Sequence, residues 1–170
     1  MTPAFATSST YLLILNAKKP LGWVVSRQRM AFPTGRVRAA RALETGDELL
    51  IYATSGCFRN PNRGEGLVMG HATITSKVEA METPVSFGDR TFHEGCSLRM
   101  HGLTSYREGV RLRDLVPNLD VFPNKDAWGG RLRRPFLEMP RKDADLIRRE
   151  LQPMLKPYQV ALPLYLAATA

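Results

Sequence analysis

LETGDELLIYAT, at residues 43–54, decides the fold, because a Gly-Asp turn leads directly into a run of apolar, strand-forming residues. GLVMGHATITS, at residues 66–76, is a second apolar run, and its two glycines indicate a strand that bends, as barrel strands do. Between the two runs, SGCFRNPNRGE at residues 55–65 is rich in Gly, Asn, Pro and Arg. These three pieces predict two core strands joined by an irregular loop, which we expect to lie at the mouth of a binding site.

The rest of the chain supplies further strands and helices around these two. YLLIL at residues 11–15 predicts a buried first strand, and residues 97–101 alternate as in a half-exposed strand. Residues 77–88 are interpreted as a continuation of the second core strand that turns at Thr83-Pro84. Residues 131–139 are predicted to form the last strand, before an amphipathic helix over 141–155. We therefore predict a mixed α/β domain.

In this order the pieces resemble the EVE-domain proteins of the PUA-like superfamily. The resemblance rests on the first strand, on Thr34-Gly35-Arg36 before the barrel, and on the two core strands. Near the end it rests on Trp128-Gly129 and on FLEMP at 136–140, followed by a helix that contains Asp145-Leu146-Ile147. It implies a small PUA-like β-barrel of about five or six strands with helices around it.

The chain is expected to divide into three parts. Residues 1–10 are expected to be a loosely ordered N-terminus, and residues 11–156 to form the EVE/PUA-like domain. Residues 157–170 are an apolar tail, which we expect to add a strand to the barrel or to contact another subunit. The apolar run at 11–15 is too short for a signal sequence or a membrane span. We therefore expect a cytoplasmic protein without a membrane partner.

The charge of the chain favours a polyanionic partner. A formal net charge of +8 comes from 24 Lys and Arg against 16 Asp and Glu, and 18 of the basic residues are Arg. Each cation that neutralises a phosphate releases condensed counterions and so adds affinity. A solvated, Arg-rich surface would have the same composition. We take nucleic acid, either DNA or RNA, as the expected partner.

Patterns for catalysis and metal binding are weak. Cys57 in the loop and His71 in the returning strand could form a Cys–His pair, but no acidic residue that would orient the histidine stands out. The three histidines and two cysteines lack the CxxC or HxxxH spacing of a zinc site. Gly64-Glu65-Gly66 is not followed by the Lys-Ser/Thr of a phosphate loop. We predict no metal, no cofactor and no catalytic residue.

A pocket for a base needs an aromatic wall, polar groups for the base edge and cations for the flanking phosphates. The EVE resemblance implies such a pocket, for a modified base, between the first strand, the segment before the barrel and the strand after Gly-Asp. The predicted base-pocket residues are Asn16, Trp23, Phe32, Thr34, Gly35, Tyr52, Ala53, Thr54 and Trp128. The predicted phosphate-binding residues are Arg27, Arg29, Arg36, Arg59 and Arg63. Trp23, Tyr52 and Trp128 could equally be core residues.

The expected function is non-catalytic recognition of nucleic acid, with one base in the pocket and Arg side chains on the backbone. The alternative is a small hydrolase of the related ASCH type that acts on modified nucleosides. Such an enzyme uses Lys, Thr and Glu around its pocket, and Lys18 and Lys19 are the lysines near the predicted mouth. A protein-interaction module that uses residues 162–168 is a third interpretation.

Overall fold

The computed structural model describes residues 8–33, 37–58 and 66–170. Within these ranges the regular elements occur in the order β1 (Thr10–Leu15), α1 (Lys18–Arg27), β2 (Arg29–Phe32), α2 (Val37–Ala40), β3 (Glu48–Ala53), β4 (Leu67–Ile74), β5 (Glu79–Phe87), β6 (Arg90–Leu103), β7 (Val110–Arg111), α3 (Leu112–Leu115), β8 (Phe136–Met139), α4 (Arg141–Leu151) and α5 (Tyr158–Thr169). Short 3₁₀ helices cover Ser55–Phe58, Val116–Asn118, Trp128–Leu132 and Gln152–Met154. The predicted mixed α/β class is confirmed.

The strands form one curled sheet in the order β2-β6-β4-β3-β1-β8, with β5 paired to β6 and β7 paired to β4. β1 and β3 run parallel, and each other pair of neighbours is antiparallel. The register of β4 shifts twice, against β3 at Met69, between Val68 and Gly70, and against β6 after His71. Such shifts bend a strand, so the predicted bend in the second core strand is confirmed.

Both faces of β1 and β3 are buried, which explains their uninterrupted apolar sequences. On one face, Leu13 and Ile51 belong to a core cluster that also contains residues of α1 and α5. On the other face, Leu12 and Leu50 belong to a second cluster with residues of α3 and α4. Burying each such side chain stabilises the fold by about 1.5–3 kcal/mol. The sheet is therefore the shared centre of two hydrophobic cores.

The second half of the sheet differs from the sequence prediction in one hairpin. β5 is a separate strand that pairs with β6, and the chain turns at Gly88-Asp89, where Gly88 has a φ of 64°. Pro84 lies inside β5, where the register shifts between Ala80 and Val85. An edge strand tolerates a proline at such an irregularity because no ladder hydrogen bond is needed there. The predicted turn at Thr83-Pro84 is therefore wrong.

The C-terminal residues also differ from the prediction, because they form the helix α5 and not an added strand. Ala161 and Tyr165 are its buried residues, and their spacing of four places both on one helical face. The Tyr165 hydroxyl donates a hydrogen bond to the Thr104 carbonyl at 3.0 Å. The predicted last strand is shorter than expected, because it begins only at Phe136. Among the described residues, no helix is both long and apolar enough to span a membrane.

Candidate functional site

The carboxyl ends of β1 and β3 meet at one edge of the sheet because the two strands are parallel. Leu15 lies opposite Ala53 in the register, and the Thr54 amide donates a hydrogen bond to the Leu15 carbonyl at 2.9 Å. Asn16 follows β1 directly, and the 3₁₀ helix Ser55–Phe58 follows β3. We call this edge, from Asn16 across to Ser55–Phe58, the mouth edge. Ligands often bind where parallel strands end in this way.

A cavity of about 510 Å³ opens at the mouth edge. It is lined by Asn16, Ala17, Lys18, Lys19, Pro20, Gly56, Cys57, Phe87, Gly88, Arg90, Phe92, Thr169 and Ala170. These residues come from the start of α1, the turn after β3, the β5–β6 hairpin and the end of α5. The volume lies within the range of about 300–1,000 Å³ that is usual for small-molecule sites. We call it the mouth cavity.

The β5–β6 hairpin gives the mouth cavity an aromatic wall. The rings of Phe87 and Phe92 lie 5.7 Å apart, and Trp23 packs edge-on against Phe87 at 5.9 Å. The Arg90 guanidinium lies 5.9 Å from the centre of the Phe92 ring. Offset and edge-on aromatic pairs stabilise one another by about 0.5–1.5 kcal/mol beyond the area they bury. Trp23, Phe87, Phe92 and Arg90 therefore pack against one another and form one continuous wall.

The other polar side chains of the mouth cavity are cationic or neutral. Lys18, Lys19 and Arg90 line it together with the neutral side chains of Asn16 and Thr169, and no acidic side chain is among the described lining residues. Lys18 and Lys19 begin α1, which has no side-chain cap, and first-turn amides of a helix lack intrahelical acceptors. Both features favour a ligand that carries negative charge.

Several solved structures have the same arrangement of helices and strands. The YTH domain of MRB1 from Zygosaccharomyces rouxii, solved with N6-methyladenosine RNA, is 17% identical and matches with a TM-score of 0.57 over 85% of this chain and 86% of that chain. The YTH domain of Mmi1, solved with RNA, is 11% identical, with a TM-score of 0.57 over 88% of this chain and 84% of that chain. A protein from Pseudomonas syringae is 11% identical, with a TM-score of 0.55 over 84% of this chain and 99% of that chain.

The fold is PUA-like. The PUA-like fold that the sequence resemblance implied is thereby confirmed. No protein-family model matches the sequence, and no curated protein matches it. The described part of this PUA-like domain has eight strands, where about five or six were expected, because β2, β5 and the two-residue β7 add to the five that the sequence predicted.

The PUA-like fold brings three of the predicted base-pocket residues to the mouth cavity or beside it. Asn16 lines the cavity directly. Thr54 lies next to it, since a Cβ added to Gly56 would be 3.8 Å from both the Asn16 carbonyl oxygen and Thr54 Oγ1. Trp23 supports the wall through Phe87. The predicted meeting of the first strand end with the strand after Gly-Asp is present in the structure.

Four other predicted base-pocket residues do not line this cavity. Phe32 has no exposed surface and packs edge-on against Phe136 at 5.6 Å. Ala53 has no exposed surface, and Tyr52 is buried in the second core, where burial raises the pKa of its phenol to about 12. Trp128 is half-buried against the same core. The core interpretation of Tyr52 and Trp128, which the sequence left open, fits these positions.

The predicted phosphate-binding residues are only partly within the described ranges. Arg27 is exposed in the last turn of α1, where a cation complements the helix dipole. Arg29 is half-buried on β2 opposite Ser97 and does not line the mouth cavity. The predicted residues Thr34, Gly35, Arg36, Arg59 and Arg63 lie outside the described residues. Their roles stay predictions.

The sequence prediction did not include the hairpin wall of the cavity. Phe87, Arg90 and Phe92 are the residues of that wall. A signal was available, because a two-residue Gly-Asp step between apolar runs is a hairpin signature, and Gly88-Asp89 is such a step. Thr169 was also missed, since the tail was expected to form a strand and not a helix that reaches the cavity.

Cys57 and His71 have separate surroundings. Burial raises the pKa of the Cys57 thiol to about 11, although nearby Lys18 acts in the opposite direction. His71 lies opposite Leu50 in the sheet, and its Nε2 is 2.9 Å from Glu48 Oε1. A protonated thiol without a base is a poor nucleophile. No group of three or more His, Cys, Asp or Glu is placed to hold a metal ion within the described ranges.

Proposed function

We propose that this chain binds nucleic acid and receives one base, a modified one, in the mouth cavity. The observation that carries the proposal is the composition of that cavity, with an aromatic wall, neutral polar groups and three cations around about 510 Å³. A base requires a flat apolar surface, and the phosphates beside it require positive charge. The mouth cavity offers both.

Each part of the cavity has a chemical role in this proposal. A base would stack on Phe87 or Phe92, and one such contact contributes about 1–3 kcal/mol in comparable systems. Asn16 carries both a donor and an acceptor, so it can read the polar edge of the base. Lys18, Lys19 and Arg90 would neutralise the adjoining phosphates. Trp23 and Thr54 would support the wall and the floor, as their positions suggest.

The nucleic-acid ligands of the structural neighbours support the proposal. The MRB1 YTH domain was solved with N6-methyladenosine RNA, and the Mmi1 YTH domain was solved with RNA. A PUA-like fold can therefore accommodate RNA with a methylated base in at least one neighbour. The net charge of +8 of this chain agrees with a polyanionic ligand.

The cavity favours binding over turnover. An ASCH-type hydrolase would need Lys, Thr and Glu around the pocket, and the described lining has Lys18 and Thr169 but no Glu. Cys57, which also lines the cavity, has a thiol pKa raised by burial. An activated cysteine nucleophile would need the opposite environment, one that lowers the pKa of its thiol. Release of a free base or of ammonia from modified nucleosides would contradict the binding proposal.

Fluorescence anisotropy with labelled oligonucleotides tests the proposal. Single- and double-stranded DNA and RNA would carry either N6-methyladenine, 5-methylcytosine or the unmodified base, each at two salt concentrations. We expect one modified strand to bind at least tenfold more tightly than its unmodified counterpart. Equal, salt-sensitive binding to all strands would reduce the function to a basic surface. No binding at low salt would contradict the proposal.

Two variants connect the binding to the cavity. Asn16→Ala changes an exposed side chain and so leaves the core intact, and Phe92→Leu keeps apolar volume while it removes the ring. We expect both to abolish the preference for the modified base, while the dependence of affinity on salt is retained. Ser86→Ala, on the exposed outer side of the same hairpin, is the control. If all three variants bind like the unaltered chain, the base does not occupy the mouth cavity.

A further inference from the structure

The residues before β8 reach the mouth edge from the side opposite β3. β8 runs antiparallel to β1, with Phe136 opposite Leu13. The ladder continues one step further, because the Ile14 amide donates a hydrogen bond to the Pro135 carbonyl at 2.8 Å. The chain that leads into Pro135 therefore lies beside the end of β1, where Asn16 begins to line the mouth cavity.

This part of the chain concentrates positive charge. Arg131, Arg133 and Arg134 are all exposed, and residues 127–137 (AWGGRLRRPFL) contain no acidic residue. Of the residues that the structure describes, none pairs with the three guanidinium groups. Three like charges within four positions repel one another, which is unfavourable unless a ligand neutralises them. We call these three residues the arginine strip.

The backbone of the arginine strip is anchored although its charged side chains are exposed. Trp128 and Leu132 are half-buried against the second core. The Trp128 ring packs edge-on against Phe122 at 5.6 Å, and the Arg133 amide donates to the Gly130 carbonyl at 3.4 Å. A segment that is already ordered loses less entropy on binding than a free loop. The anchoring therefore favours a binding role for the strip.

We propose that the arginine strip binds the phosphate backbone of the same nucleic-acid strand whose base occupies the mouth cavity. The inference rests on the proposed function and adds a second contact to it, on the β8 side of Asn16. Guanidinium groups suit this role, because they bind phosphate oxygens in pairs and stay charged at all physiological pH values. Trp128 then acts as the anchor of the strip and not as a wall for the base.

A charge-matched pair of triple variants tests the inference. The strip variant is Arg131→Gln/Arg133→Gln/Arg134→Gln. The control is Lys77→Gln/Arg141→Gln/Arg149→Gln, which removes three exposed charges from positions after β4 and on α4. Each protein would be titrated over a series of salt concentrations with a single-stranded nonanucleotide that carries the preferred base, and with the corresponding 5′-mononucleotide.

We expect the strip variant to bind the nonanucleotide at least tenfold more weakly at low salt. The slope of log K against log salt should fall by about 2, since each phosphate contact on a single strand contributes about 0.7. Mononucleotide binding should be unchanged, and the control should lose no more than about threefold, as expected for long-range electrostatics alone. Equal losses in the strip and control variants would overturn the inference.

The outcomes separate this inference from the proposed function. If the strip variant behaves like the control while Asn16→Ala still abolishes base preference, the cavity binds a base and the strip is not its partner. If the strip variant loses affinity but Asn16→Ala and Phe92→Leu have no effect, the backbone contact is not coupled to a base in the cavity, and the single-strand arrangement is wrong. Absence of nucleic-acid binding by the unaltered chain would overturn both.

Discussion

The two edges of the central sheet differ in how their charged side chains are paired. At the edge where β1 and β3 begin, Glu48 Oε1 is 2.9 Å from His71 Nε2, and Glu48 Oε2 is 3.5 Å from a guanidinium nitrogen of Arg148. Asp47 accepts hydrogen bonds from the amides of Ser9 and Glu44 at 3.1 and 2.9 Å. We call this the paired edge. At the mouth edge, the described residues that line the cavity place no acidic side chain beside Lys18, Lys19 and Arg90.

This difference separates charges that hold the fold together from charges that can bind a ligand. A buried or half-buried carboxylate with fixed donors contributes to stability, and the loss of its partners leaves polar groups unsatisfied. An exposed cation without a partner contributes little to stability and remains available to bind an anionic ligand. Substitutions at the paired edge should therefore change stability, and substitutions at the mouth edge should change binding.

The largest effect on stability is expected for Asp143→Ala, near the paired edge at the start of α4. Asp143 has no exposed surface, and its carboxylate accepts hydrogen bonds from the amides of Asp120 and Val121 at 3.0 and 2.7 Å. Removing the carboxylate leaves two amides without acceptors and should cost about 3 kcal/mol. Urea denaturation measures this cost, and Asp145→Ala, on the exposed side of the same helix, is the control.

The same variant also tests whether the paired edge affects nucleic-acid binding. The folded fraction of Asp143→Ala should bind nucleic acid with the affinity of the unaltered chain, since no part of the mouth cavity contains this residue. A tenfold loss of affinity in the folded protein would show that the two edges are not independent. A cost below about 0.5 kcal/mol, the scale of an ordinary surface substitution, would show that the two amides find other acceptors.

The next effect is expected where α5 closes the mouth cavity against α1. A Cβ added to Gly22 would lie 2.1 Å from Thr169 Oγ1 and 2.6 Å from Thr169 Cβ, so Gly22→Ala must displace the end of α5. Overpacking of this kind costs about 1–3 kcal/mol. Because Thr169 lines the cavity, nucleic-acid affinity should fall as well. Both effects should be restored in the double variant Gly22→Ala/Thr169→Gly, which denaturation and anisotropy would measure.

If the double variant does not restore both properties, the property that stays impaired shows what Thr169 does. Restored stability without restored affinity would indicate that the Thr169 side chain itself contacts the ligand. No loss of stability in Gly22→Ala would mean that α5 is not packed on α1 as the structure describes.

A smaller effect distinguishes the two buried cysteines. Burial raises the pKa of Cys57 to about 11 and that of Cys96 to about 12, so both thiols are almost entirely protonated at pH 8. Both thiols should react slowly with a disulfide reagent in the native protein and rapidly in urea. A saturating oligonucleotide should slow the labelling of Cys57, which lines the mouth cavity, and leave Cys96 unchanged. Rapid native labelling of Cys57 would instead favour a reactive thiol.

The mouth edge could be predicted from the sequence because β1 and β3, the two strands that end there, both have strongly apolar sequences. YLLIL and ELLIYA are uninterrupted apolar runs, and each ends at a polar residue, Asn16 or Thr54. Two buried parallel strands bring such residues together at one edge. The order of the remaining pieces was sufficient for the PUA-like fold, since it depends on the sequence of elements and not on any single side chain.

The far wall of the cavity could not be predicted in the same way. Phe92 is distant from Asn16 along the chain, and only the curl of the sheet and the pairing of β5 with β6 bring the two to one cavity. The aromatic residues Phe32 and Tyr52 have strand-forming sequences around them, and their burial depends on which face of the strand meets a core. For Tyr52, a single sequence does not specify that face, because both faces of β3 are apolar.

The smallest effect is a dependence of stability on pH from His101, on β6. Desolvation lowers its pKa below the ordinary value of 6.5, and the neighbouring His71 and Arg99 act in the same direction, whereas Glu48 opposes them. The folded state therefore holds this proton less tightly than the unfolded state does. Stability should be complete above pH 6.5 and should decrease as the pH falls from 6.5 through the lower pKa of the folded state.

His101→Gln should remove this part of the pH dependence, and the change is expected to be small because much of the side chain is exposed. Urea midpoints at pH 7.5 and 5.5 would measure it, with His93→Gln on the same strand as the control. A smaller difference between the two midpoints in His101→Gln than in the unaltered chain is the expected result. An unchanged difference would mean that the histidines at this face are not coupled to folding. Since His101 does not line the mouth cavity, its substitution should leave nucleic-acid affinity at pH 7.5 unchanged. A change in affinity would show that the paired edge and the mouth edge are not independent.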